Sequence, residues 1–102
     1  MKITEIPLTP DNQQFDISIN NINYQMRILW RENSWFLDLN DGNGAAIITG
    51  IPLITGADLL AQYAYLQLGF GLWVLSDTTL NDAPGEYELG YSAHLCLVTE
   101  AL

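Results

Sequence analysis

Apolar and polar residues alternate with a period of two through much of the first half of the chain. Phe15, Ile17 and Ile19 alternate with Asp16, Ser18 and Asn20. After Asn21, the residues Ile22, Tyr24, Met26, Ile28 and Trp30 alternate with Asn23, Gln25, Arg27, Leu29 and Arg31. A period of two marks a β-strand with one buried face. The Asn20-Asn21 pair between the two runs tolerates the positive φ of a type I′ hairpin turn. A two-residue turn there sets Ile19 opposite Ile22, Ile17 opposite Tyr24 and Phe15 opposite Met26. Slipping the register by one residue would lose every one of these apolar matches.

The same logic extends through the next turn. The polar loop Arg31-Glu32-Asn33-Ser34 places Trp30 across from Trp35, Ile28 from Leu37 and Met26 from Leu39. Asp41-Gly42-Asn43-Gly44 is a third turn, and 45–50 a fourth strand. Pro52 donates no ladder hydrogen bond, so 51–53 extends that strand only at an edge or past a bend. Residues 72–76 read as a strand that is apolar on both sides. Residues 91–99 close the chain with another strand, and a further one lies near 3–8. The segment near 56–63 suits one short helix, with Thr55 as N-cap and Asp58 in the first turn. Gly69 and Gly71 stop its continuation. The stretch 77–89, rich in Asn, Asp, Pro and Gly, is the longest irregular segment and is expected to be mobile or to bind a partner. The fold class is therefore all-β: a single domain over 1–102, a small antiparallel meander forming a sandwich or partly open barrel of about six or seven strands.

Composition narrows the function. Twelve acids stand against three bases, Lys2, Arg27 and Arg31, for a formal charge of −9. Binding phosphate backbones takes clustered Lys and Arg, so neither nucleic acid nor an anionic membrane surface is an expected partner. Charged residues make up only 15% of the chain, against about 25% in ordinary domains. Asn, Gln and apolar residues take their place, as they do where neighbours cover part of a surface. The first ten residues carry one Lys and no apolar run, unlike a secretory leader. No stretch approaches the roughly 20 apolar residues of a membrane-spanning helix.

Catalytic chemistry finds little footing. His94 is the only histidine and Cys96 the only cysteine. Two apart on a strand, they share a face and project in parallel; they make neither a dyad converging on a substrate nor a metal set. Asp38-Leu39-Asn40-Asp41-Gly42-Asn43-Gly44 resembles a calcium loop, but the places that need Gly and a bidentate acid hold Asn43 and Thr49. A hairpin turn accounts for it. Glu86 and Glu88 flank Tyr87 and would share a side of an extended chain, yet nothing around them suggests a sugar cleft. No catalytic, metal or cofactor site is expected. Trp30 and Trp35 are taken up by the cross-strand register. Tyr63, Tyr65, Phe70, Tyr87 and Tyr91 are freer, and aromatics amid few charges are what protein interfaces favour. The same aromatics would serve a small carbohydrate- or peptide-binding β-module, which is the alternative reading.

The order of segments is also familiar. Ile6-Pro7-Leu8-Thr9-Pro10 precedes a hairpin ending in Arg27-Ile28-Leu29-Trp30. Trp35-Phe36-Leu37-Asp38-Leu39 and a glycine-rich turn follow. Then come Thr49-Gly50-Ile51-Pro52-Leu53-Ile54-Thr55-Gly56-Ala57-Asp58-Leu59-Leu60 and Tyr65-Leu66-Gln67-Leu68-Gly69. From about Ile6 to Val98 this resembles the baseplate plug proteins of contractile-tailed bacteriophages, as in cyanophage. The resemblance implies a non-enzymatic virion component near the hub and tail tube. It also implies other tail and baseplate proteins as partners, a symmetric multi-copy assembly, and construction in the bacterial host cytoplasm. It assigns no individual functional residue.

Overall fold

The computed structural model describes residues 2–77 and 83–99. Its strands are β1 (Lys2–Ile6), β2 (Gln13–Ile19), β3 (Ile22–Arg31), β4 (Ser34–Asp41), β5 (Ala46–Pro52), β6 (Phe70–Ser76) and β7 (Ala93–Thr99), with a 3-10 helix at Ala61–Leu66. They form two antiparallel sheets. One is four-stranded in the order β2-β3-β4-β5; the other is three-stranded in the order β1-β7-β6. The sheets pack as a sandwich and do not close into a barrel.

The four-stranded sheet follows the register that the alternation dictates. Ile17 faces Tyr24 and Phe15 faces Met26; Trp30 faces Trp35 and Ile28 faces Leu37. Asn20 and Asn21 both take positive φ, at 53° and 67°, as a type I′ turn requires. Glu32 and Asn33 do the same, at 53° and 62°. The second connection is thus as tight as the first, with Arg31 and Ser34 already paired in the strands. The Trp30 and Trp35 rings meet edge-on, with centroids 5.2 Å apart. That geometry adds roughly 0.5–1.5 kcal/mol beyond their burial.

The fourth strand is bent. Leu39 pairs with Ile48 and Leu37 with Ile51, so Thr49 and Gly50 together oppose Asp38. This is a β-bulge, and Gly50 supplies the positive φ of 76° that it needs. Asp38, buried on the outer side of the sheet, accepts the displaced Gly50 N–H at 2.8 Å. The chain then crosses to the other sheet.

There, residues 55–59 run along β6. Gly56 N–H donates to the Val74 carbonyl at 3.0 Å, and Leu59 N–H to the Leu72 carbonyl at 2.7 Å. The edge of β6 is thereby capped, as exposed sheet edges usually must be. The helix also starts later than the sequence suggests, at Ala61 rather than near 56. Thr55 does not cap it; instead it forms an isolated bridge with Val74, and Asp58 forms one with Trp73. Pairing with an open strand edge satisfies more backbone groups than one early helical turn would. The closing strand begins at Ala93 rather than 91, after a run of turns whose backbone bonds converge on the Glu88 carbonyl. Of the predicted loop 77–89, residues 78–82 lie outside the described ones.

Met26, Ile28, Leu37 and Leu39 from one sheet meet Leu72, Val74 and Leu95 from the other in a single apolar core. Trp35 locks the turn segment after β6 to that core: its indole N–H donates to the Gly85 carbonyl at 2.9 Å.

Candidate interaction surfaces

The pairing of the three-stranded sheet decides which side chains face outward. Ile3, Val98 and Gly71 form one cross-strand row; Glu5, Cys96 and Trp73 form the next; His94 and Leu75 form the third. All point away from the core, because Ile6, Leu95 and Val74 in the intervening rows are buried in it. The outer face is nevertheless apolar. Ile3 is 58% exposed and Leu75 45% exposed. With Trp73, Cys96 and Val98 they line an open depression of about 320 Å³.

Carboxylates border this depression. At one end Glu5 accepts from His94 Nδ1 at 2.9 Å, while Asp77 lies 3.2 Å from His94 Nε2. The histidine bridges β1, β7 and the segment leaving β6. Hydrogen bonding to Glu5, then to Asp77, raises its pKa above the ordinary imidazole value. Burial, helped by the nearby Glu5 charge, raises the Cys96 thiol as well, so Cys96 is a packed thiol and not an activated nucleophile. At the other end lies Asp58. Its carboxylate covers Gly71 and accepts the backbone N–H groups of Leu60 at 3.0 Å and Leu72 at 3.1 Å.

The aromatic residues singled out from the sequence do not gather in one place. Phe70 pairs with Thr99 at one end of β6, and Ser76 with Ala93 at the other. Tyr63 and Phe70 share a depression of about 250 Å³ beside the helix at the first end. Phe70 is half-buried, its ring edge-on to Tyr24 at 5.5 Å. Tyr65, on the same helix, is 76% exposed. Tyr87 and Tyr91, 75% and 71% exposed, belong to the turns leading into Ala93 at the far end. The five residues therefore make two separate patches.

Other suspected chemistry resolves into local structure. Asp41 Oδ1 accepts the N–H groups of Asn43 and Ala45, at 2.9 and 3.0 Å, and so braces the third turn. Glu88 accepts from Gly85 N–H at 2.6 Å and Ser92 Oγ at 2.8 Å, holding its own turn together, whereas Glu86 is exposed. His94 and Cys96 do share a face, as their spacing implies. Among the described residues no cluster of three His, Cys, Asp or Glu could hold a metal ion, and no helix is long and apolar enough to cross a membrane.

Ile3, Leu75 and Val98 were not among the interface residues expected from the sequence. The signal was present in the β6 run itself, apolar at successive positions. In a two-layer sandwich a strand has only one buried face, so such a strand must show an apolar face outside.

A protein-family model described as cyanophage baseplate Pam3 plug gp18 matches residues 3–100, a span that takes in both sheets. No curated protein matches the chain.

Proposed function

This chain belongs to the cyanophage baseplate plug family, and on that premise we propose that it is a non-enzymatic structural subunit of a phage tail baseplate, packed near the hub and tail tube. The observation that carries this reading is the family match over residues 3–100. The surface agrees with it. A sandwich this small ordinarily covers its outer faces with charge, but this one leaves an apolar sheet face and three tyrosines in solvent.

In this reading the partners are other tail and baseplate proteins, met as one of several symmetric copies. Tyr65 with Tyr63 and Phe70 at one end, and Tyr87 with Tyr91 at the other, are contact residues toward two different neighbours. The excess of acid, −9 overall, keeps the subunit from binding DNA that passes through the tube. Assembly takes place in the host cytoplasm and the finished subunit resides in the virion. A sugar-binding module would place its exposed aromatics on one platform, and their separation to opposite ends gives that alternative no support.

Quantitative mass spectrometry of purified tails tests the proposal. The chain should be present at a fixed ratio to the tail-tube protein, and should disappear from particles made without its gene. Tails that lack the chain while the producing cells contain it would overturn the reading.

A further inference from the structure

We propose that the outer face of the β1-β7-β6 sheet docks a different tail protein, one that presents an apolar side chain framed by lysine or arginine. The inference rests on the baseplate reading above and adds to it a surface and the chemistry of its partner.

Ile3, Trp73, Leu75, Cys96 and Val98 come from three adjacent strands and enclose an open apolar depression. The depression is open and about 320 Å³ in volume, room enough to seat a protruding side chain. Burying such a contact is favourable in proportion to the apolar area removed from water, before the costs of association.

Charge then selects the partner. The carboxylates bordering the depression are Glu5, Asp77 and Asp58, and His94 is the one titratable cation between them. The nearest full cation on these strands, Lys2, sits at the tip of β1 in a row that faces the opposite way. An apolar centre with an acidic rim is complementary to an apolar knob with a basic rim, and complementarity of this kind sets specificity and association rate.

The same charges argue against a second copy. Two copies joined through this face would set Glu5, Asp58 and Asp77 against their equivalents. Head-to-tail contact would instead use the outer face of the other sheet, which carries Arg27 and Arg31. There Arg31 lies over the Phe36 ring, 5.3 Å from its centroid, and the same surface carries Asp16, with Glu32 beside Arg31. The net charge of −9 on each chain adds repulsion to either arrangement.

The test is site-specific photocross-linking in assembled tails. Benzoylphenylalanine is placed at Leu75 on the patch or at Ile22, a comparably exposed apolar position on the other sheet. The proposal expects position 75 to cross-link to a different tail protein, through a peptide with Lys or Arg close to the linked residue, and position 22 not to reach that peptide. The variant Leu75→Glu should keep the unfolding transition of the parent, since the side chain lies outside the core, yet its incorporation into tails should fall roughly tenfold. A cross-link from position 75 to a second copy, or none while the chain is present in the particles, overturns this inference and leaves the baseplate reading standing. Absence of the chain from the particles overturns both. Normal incorporation of a folded Leu75→Glu protein also overturns this inference.

Discussion

Asp58 fills the space that Gly71 leaves on the outer face of the three-stranded sheet. A Cβ at position 71 would lie 3.0 Å from Asp58 Oδ2 and 3.2 Å from its Cγ. The carboxylate cannot simply swing aside, because its Oδ1 holds the N–H groups of Leu60 and Leu72. One acid thus ties the crossover segment to β6 and closes one border of the apolar depression. Gly71→Ala should destabilise the protein by about 1–3 kcal/mol through overpacking. Asp58→Ala should cost a similar amount, about 1–3 kcal/mol, by orphaning two amides. The double variant should lose less than the sum, since removing the carboxylate frees the space that the added methyl group needs. Urea unfolding of the four proteins checks this, and strict additivity would count against the contact.

Trp35 performs a comparable task at the other end of the sandwich. Its ring is buried against Trp30 and its N–H reaches the Gly85 carbonyl. Trp35→Phe keeps an aromatic ring in the core but removes the donor. It should cost about 1–3 kcal/mol, and amide exchange should rise across 85–92 more than in β3. Unchanged exchange in that segment would show that the indole bond does not anchor it.

The bulge in β5 depends on a side chain as well as on a glycine. Asp38→Ala removes the acceptor for the Gly50 amide and should destabilise by about 1–2 kcal/mol. Asp38→Asn retains an amide oxygen in the same place and should cost less. Equal losses for the two variants, measured by thermal unfolding, would assign the effect to charge instead of to the hydrogen bond.

His94 makes stability depend on pH. Its pKa is raised in the folded state by Glu5 and then Asp77. His94 therefore holds its proton more tightly in the folded chain than in the unfolded one. The resulting stabilisation is fully present below the unfolded value of about 6.5 and is lost as pH rises through the higher folded value. Both carboxylates are largely solvated, so the gain is small, about 0.2–1 kcal/mol. Unfolding measured between pH 5.5 and 8.5 should show the parent losing this increment relative to His94→Gln, whose stability lacks that component.

How much of this was legible in the sequence depended on whether the contacts were local. The meander from Phe15 to Leu39 was readable down to individual pairs, because strict alternation and two tight turns leave one register that sets the alternating apolar residues of all three strands on one face. The three-stranded sheet was not. Its strands come from the two ends of the chain and from beyond the helix, so no turn dictates their pairing. With apolar residues on both faces, β6 also lacks the alternation that tells inside from outside. The helix was placed too early because Thr55 and Asp58 carry N-terminal cap chemistry. In the fold, that chemistry serves the edge of β6 instead. The aromatic candidates were visible as residues, but their division between two ends follows from the β6–β7 pairing, which no local pattern encodes.

Cryo-electron microscopy of the purified tail tests the central claim most directly. The account predicts density for this two-sheet sandwich within the baseplate, with the outer face of β1-β7-β6 covered by a neighbouring chain of different sequence. A baseplate resolved to side-chain detail without the sandwich would contradict it.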